Sequence, residues 1–413
     1  MKSSNFLKAL TAASILGLGA LMSQTALAQE GKTVKIAKGQ PIVVGTMHVL
    51  SGSDAALGVD VLRGVKVAVS DIGGKLLGHP IKLLEEDDGC NAEGGQTAAT
   101  KIAANQQVVV SLGSACSSAT RPAAPILYKA GVPVIATAAS SPVLTAPDRA
   151  ADYTWLTRVV YNDLWAGREV ANWATKVLGF KKFATIHDGS AYAEKLVRVF
   201  QENVKKQGGE IVSDEAVAPS DTDLRPVLTK IATSKPEMIY APNFVGVTSY
   251  AIRQKKEIAG LEKVRFIGSD AALGAQLLEA AGKDVIGFQI TSTALEAEAQ
   301  GKGYKAMKEK YKTMFGEYPI QGFHGNGYDA FMMFAEAFKK VAKSEGGATT
   351  VNTKALRDAI IATKNHQGVT GTLTCDQYGD CGVYKFAVYE FTNQDPKSID
   401  IGKNPKRIYP DKF

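Results

Sequence analysis

The chain of 413 residues lacks the common signatures of catalysis. There is no G-x-S-x-G nucleophile turn, no H-E-x-x-H zinc motif and no Walker phosphate loop. Histidine is scarce, at five residues; His187 and His324 fall in different predicted elements and read as strand-end or loop residues rather than metal ligands. Beyond residue 28 nothing resembles 18 consecutive apolar residues, so no membrane span is expected in the mature chain. No Lys/Arg run is dense enough to form a nucleic-acid stripe, and the formal charge of +7 reads as a solvated face. The 40 glycines follow no period, which excludes a collagen-like fibre. What remains, 45% hydrophobic and 22% charged, is the composition of a globular protein of two or three domains.

The first 28 residues read as an export signal. Lys2 and Lys8 form a basic start, Ala9 to Met22 is apolar and rich in small residues, and Ala26-Leu27-Ala28 fits the small-x-small cleavage rule. The apolar run is too short and too rich in Ala and Gly for a membrane anchor. Cleavage after Ala28 leaves 385 residues with a charge of +5, and a soluble exported protein is expected. Four cysteines suit an oxidising compartment. Three pairings are possible; their placement favours Cys90 with Cys116, at neighbouring strand ends, and Cys375 with Cys381, flanking a turn. A zinc site would want two C-x2-C-like pairs, which the spacing does not supply.

From Pro41 onward strand-like and amphipathic runs alternate. Strands are predicted at Ile42–Gly45, Ile81–Leu84, Val108–Val110 and Val132–Ile135. Helices lie between them at Ala55–Ser70, Glu93–Asn105 and Ser117–Lys129. This βαβ pattern implies a parallel sheet covered by helices. It restarts with strands at Phe183–Ile186, Glu210–Val212, Met238–Tyr240 and Val264–Ile267, separated by helices at Ala191–Lys206, Leu224–Ser234 and Thr248–Ile258. The last third offers a strand near Val285–Ile290, helices at Gly303–Phe315, Tyr328–Lys343 and Thr353–Thr363, and a hairpin pairing Thr370–Leu373 with Tyr384–Phe391. These pieces are too few for a third sheet. The fold expected is α/β, with two doubly wound Rossmann-like lobes, residues 33–156 plus 286–384 and residues 157–285 plus 385–413, joined by a multi-crossing hinge around a cleft.

The better candidates for chemistry sit at strand ends. Ser114 to Thr120 follows a buried strand and opens a helix, where free N–H groups and hydroxyls suit a carboxylate; the plain alternative is N-capping by Ser117. Thr137 to Pro142 follows the next strand. The second lobe offers His187 to Tyr192, Pro242-Asn243-Phe244 and Gly268-Ser269-Asp270, where Asp270 either meets a ligand cation or caps the helix near Ala271. Gly325-Asn326-Gly327 lacks the third glycine and the context of a dinucleotide loop, and Phe331, Met332, Phe334 and Phe338 read as a core-facing helix stripe.

At these residues the sequence resembles the periplasmic leucine/isoleucine/valine-binding proteins of ABC transporters, the type I "Venus flytrap" receptors. The resemblance rests on Glu86-Asp87-Asp88-Gly89-Cys90, Cys116 to Thr120, Gly131-Val132-Pro133 with Ala138 to Pro142, His187-Asp188 with Tyr192, Ile239-Tyr240 before Phe244, and Gly371-Thr372-Leu373. It also implies a disulfide where Cys90 and Cys116 stand. It further implies that Ser117 and Ser140 hold an α-carboxylate, that the Ala138 carbonyl, Tyr192 and Asp270 hold an α-ammonium, and that Phe244 and Leu57 line the side-chain pocket. Asp270 stands where leucine-type members often carry Glu, and Leu57 and Phe244 replace common tyrosines. Cys375 and Cys381 are extra. The resemblance implies a receptor handing its ligand to an ABC permease, monomeric, with no cofactor, metal or nucleic-acid partner. Amides, urea and aromatic acids are alternative ligands, and a sensory module is an alternative role. An enzyme using Ser117 as nucleophile lacks a histidine at a defined spacing.

Overall fold

A computed structural model of the protein describes residues 30–411. The expected signal segment, residues 1–28, lies outside the described residues. Among the described residues no helix is long and apolar enough to cross a membrane.

Two main sheets form as the alternating pattern predicts. The first runs in the order Lys75–Leu76, His79–Asp87, Ile42–His48, Val108–Gly113, Val134–Ala136, Leu156–Arg158, and only the short Lys75–Leu76 strand is antiparallel to its neighbour. Every residue of Ile42–His48 and of Val108–Gly113 is buried, because helices cover both faces of a parallel sheet. The second runs Glu210–Ala216, Lys182–His187, Met238–Tyr240, Arg265–Ser269, Gln289–Thr293, and then the antiparallel Phe386–Glu390 and Lys406–Tyr409. In both sheets the first parallel strand lies inside the second, so the strand order reverses beside it. That reversal opens a crevice at the strands' carboxyl ends.

The sheets move two edges of the expected lobe division. Leu156–Arg158 completes the first sheet, so Thr157 and Arg158 belong with residues up to 156. Gln289–Thr293 pairs with Arg265–Ser269 and belongs to the second sheet rather than to a segment beginning at 286. The chain then returns to the first lobe through the helices Tyr304–Phe315, His324–Val341 and Thr353–Ile361. Phe331, Phe334 and Phe338 are fully buried there against Val44, Val110 and Ile135, as the stripe predicts, with Met332 half-buried beside them.

The expected hairpin of Thr370–Leu373 with Tyr384–Phe391 does not form. Thr372–Leu373 pairs with His366–Gln367, while Phe386–Glu390 crosses to the second sheet. Ala387, Val388 and Tyr389 are consecutive and all buried. They need cover on both faces, which the second sheet gives: Ala387 and Tyr389 enter one apolar core and Val388 another. A further three-stranded sheet, Thr33–Ile36 with Ala348–Asn352 and Lys343–Glu345, turns at Gly346-Gly347, both at positive φ.

Helices Ala55–Asp71 and His324–Val341 pack unusually close, and two glycines permit it. A Cβ on Gly64 would stand 1.9 Å from the His324 carbonyl oxygen, and one on Gly327 would stand 2.1 Å from that of Val61. Gly327 therefore serves helix packing rather than phosphate binding. Gly64→Ala and Gly327→Ala should each lower stability by roughly 1–3 kcal/mol through overpacking, read as the urea midpoint. Gly246→Ala, with nothing within 4 Å of its added Cβ, should leave the midpoint unchanged or raise it.

Candidate functional site

The crevice between the sheets holds a small cavity lined by Leu57, Ala115, Ser117, Ala138, Ser140, Tyr192, Phe244, Asp270, Ala271 and Phe323. All seven residues singled out from the sequence face this one cavity. Each follows the carboxyl end of a parallel strand. Leu57 comes after Ile42–His48, Ser117 after Val108–Gly113, and Ala138 and Ser140 after Val134–Ala136. Opposite them, Tyr192 comes after Lys182–His187, Phe244 after Met238–Tyr240 and Asp270 after Arg265–Ser269. The lobes touch across the cleft, where the Ala191 N–H donates to Ser118 Oγ at 3.1 Å.

On the first wall Ser117 is the opening residue of the helix Ser117–Lys129. Cys116 occupies the cap position, so the plain alternative of N-capping by Ser117 does not hold. Its hydroxyl accepts from the Ser141 N–H at 3.2 Å, which ties the two hydroxyl-bearing loops together. Cys90–Cys116 is bonded, anchoring the residue before Ser117 to the loop after His79–Asp87, across the intervening strand Ile42–His48. Ser140 Oγ donates to Asp163 Oδ2 at 3.0 Å, and Asp163 heads the helix Asp163–Asn172. Burial pushes the Asp163 carboxyl up to about 7 against the pull of Arg158 and Ser140.

On the second wall Asp270 is 3% exposed. Its Oδ2 accepts from Tyr161 OH at 2.5 Å and from Ser292 Oγ at 2.8 Å. Burial raises its carboxyl to about 6, and the Tyr161 and Ser292 bonds restrain the rise. The residue begins a single turn, Asp270–Ala272, and its side chain serves this network. Tyr192 OH donates to Ser269 Oγ at 2.8 Å, leaving its oxygen free to accept. Tyr192 and Phe244 lie ring to ring at 5.6 Å.

Behind the first wall lies Arg158, whose side chain is fully buried. Its Nη1 donates to the carbonyls of Ser141 at 2.9 Å and Ala139 at 3.4 Å, and its Nη2 to Thr145 Oγ1 at 2.6 Å. Its Nε meets Asp380, which Asn162 also holds at 2.7 Å. Burial alone would raise the Asp380 carboxyl, but the Arg158 charge and hydrogen bonds outweigh it and hold the group below its usual range. Asp380 sits in the loop closed by Cys375–Cys381, also bonded, and the backbone of Arg158 pairs with Gly379 and Cys381. The carbonyls either side of Ser140 are thus held from the far end of the chain.

Ala115, Ala271 and Phe323 also line the cavity, and Tyr161, Asp163 and Ser292 support it; none was singled out from sequence. Tyr161 and Asp163 lie in the first crossing between lobes and Ser292 near the end of the last parallel strand, positions that strand counting points to once the crossings are known. His324, expected in a loop, is the first residue of its helix, bonded to Asp60 Oδ2 at 3.0 Å and Tyr304 OH at 2.8 Å. His187 does sit at a strand end, beside Arg198 at 3.2 Å. No histidine lines the cavity, and among the described residues no cluster of His, Cys, Asp or Glu is placed to hold a metal ion.

The sequence profile of the periplasmic binding proteins matches residues 41–395. The chain belongs to that family. This periplasmic binding protein is 25% identical over 360 residues to a Leu/Ile/Val-binding protein of Escherichia coli, covering 86% of this chain and 92% of the other. An amino acid binding protein of Pseudomonas aeruginosa is 27% identical over 359 residues, 86% of this chain and 91% of its own. The crystal structure of the branched-chain amino acid transporter substrate binding protein LivJ from Streptococcus pneumoniae, solved with isoleucine, superposes with a TM-score of 0.74. It is 25% identical and covers 87% of this chain and 97% of its own.

Removing Asp380 from this binding protein leaves the Arg158 charge buried without its counterion. Asp380→Ala should cost about 3–5 kcal/mol of stability, towards the lower figure because 22% of the Asp380 side chain is exposed. Denaturant titration measures it.

Proposed function

We propose that the protein is the periplasmic solute receptor of an ABC importer, binding an amino acid of branched-chain or other aliphatic type between its lobes and presenting it to the membrane permease. The signal would be cleaved after Ala28 and the mature protein would act as a monomer. One observation carries the reading. Ser117 and Ser140, with a helix N-terminus, stand on one wall of the cavity, Asp270 stands on the other, and apolar side chains fill the space between.

A zwitterion fits that division. Its carboxylate would take the hydroxyls and backbone N–H groups of Ser117 and Ser140, and its ammonium the Ala138 carbonyl, Tyr192 and the Asp270 carboxylate. Leu57 and Phe244 would contact an apolar side chain. No Lys, Arg or His lines the cavity, so a ligand of net negative charge would meet the buried Asp270 carboxylate with no lining cation to offset it. The relatives named for leucine, isoleucine and valine support the same class. Contacts from both lobes would favour the closed state, which the permease would recognise.

A thermal-shift panel of amino acids, amides, urea and aromatic acids, after native mass spectrometry of the purified protein, tests the class. Leucine, isoleucine or valine should give the largest shift, and a larger response to benzoate or an amide than to any amino acid would replace the reading. In calorimetry with the best amino acid, Asp270→Asn should weaken binding by roughly 2–5 kcal/mol, since a buried ammonium loses its partner. Ser117→Ala should cost roughly 1–3 kcal/mol. Unchanged affinity in either variant removes that residue from the grip.

A further inference from the structure

We propose that Asp163 is a positioning residue that directs the Ser140 hydroxyl proton, so that capture of a ligand carboxylate takes up one proton. The inference rests on the carboxylate assignment made above, but the residue and the linkage lie outside it.

The geometry is specific. Asp163 is 1% exposed and sits behind Ser140, away from the cavity lining. Its Oδ2 is 3.0 Å from Ser140 Oγ, and its Oδ1 is buried with no hydrogen-bond partner. A serine hydroxyl has one proton, and an ionised carboxylate can only accept. With Asp163 ionised, the Ser140 proton must point to it, and the serine turns lone pairs toward the cavity, where they repel a carboxylate. With Asp163 protonated, the acid donates to Ser140 Oγ instead. The serine proton is then free to face the ligand. The orphaned Oδ1 fits this second arrangement, because a neutral acid leaves less charge without a partner.

The groups facing Asp163 set when the change occurs. Arg158 is the cation among them, but its hydrogen bonds go to Asp380, two carbonyls and Thr145 rather than to Asp163. Asp270 opposes ionisation from across the cleft, and the neutral phenols of Tyr161, Tyr192, Tyr240 and Tyr384 lie within electrostatic reach of the acid. Burial dominates and puts the Asp163 transition at about 7. An arriving carboxylate adds negative charge nearby and raises it further, so binding draws a proton in and affinity falls as pH rises through that region. Asp270 acts with the opposite sign. Its ionised form meets the ammonium, so affinity falls as pH drops through its transition at about 6. The two limbs leave an optimum between about 6 and 7.

Calorimetry with L-leucine, L-isoleucine and L-valine, from pH 5.5 to 8.5 in paired buffers of different ionisation enthalpy, tests this on the unaltered protein. Affinity should fall about tenfold between pH 7 and 8.5, and the buffer-dependent heat should report uptake approaching one proton on that limb. In Asp163→Asn the amide can donate to Ser140 as the neutral acid does. That variant should hold its pH 6.5 affinity to pH 8.5 within about twofold and lose the alkaline proton uptake. Buffer-independent heats above pH 7 in the unaltered protein would overturn the linkage, and so would a wild-type alkaline decline in Asp163→Asn. If none of the three amino acids binds at pH 6.5, the amino-acid assignment fails and this proposal with it; binding with a flat profile overturns the proton linkage alone.

Discussion

The arrangement depends on a single buried cation. Arg158 lies at the end of the last strand of the first sheet with its side chain wholly out of water. A guanidinium there is tolerated only if nearly every donor finds an acceptor. The acceptors come from the loop around Ser140 and from a carboxylate 222 residues further along the chain. Meeting that demand fixes three things together: the carbonyls flanking Ser140, the start of the first crossing between lobes, and the disulfide-closed loop at residues 375–381. The hinge and one wall of the cavity are therefore one solid unit.

Around that unit the two sheets repeat one topology. Each reverses its strand order beside its first strand, and each turns the carboxyl ends of its strands to the cleft. Divergent loops can then equip the two walls differently without changing the scaffold. One wall carries hydroxyls at a helix start; the other carries a carboxylate braced by Tyr161 and Ser292.

Much of this was legible from the residues. Short β-rich apolar runs alternating with amphipathic segments located the central parallel strands, and the small polar clusters after them were the loops that meet in the cleft, since a parallel sheet has only one set of carboxyl ends. The parts that stayed hidden share a cause, which is pairing decided at long range. Phe386–Glu390 and Thr372–Leu373 look like hairpin partners, yet the demand for two-sided burial separates them. Phe323 precedes a helix whose first turn holds two glycines, so the helix appeared to begin later and the residue before it drew no notice. Asp163 has the sequence setting of an ordinary first-turn acid, favourable to the helix dipole. Its pairing with Ser140 exists only because a strand end 23 residues earlier folds over it.

Asp60 has a bearing on how such pockets diversify. Fully buried in the helix Ala55–Asp71, it accepts the backbone N–H groups of Ile320 at 3.1 Å, Phe323 at 3.1 Å and His324 at 2.8 Å. The ring of Phe323 reaches the cavity from a peptide pinned by a carboxylate that never touches it. Grafting the ten lining side chains onto another binding protein of this kind would therefore not reproduce the cavity, because one aromatic would arrive without the anchor that aims it.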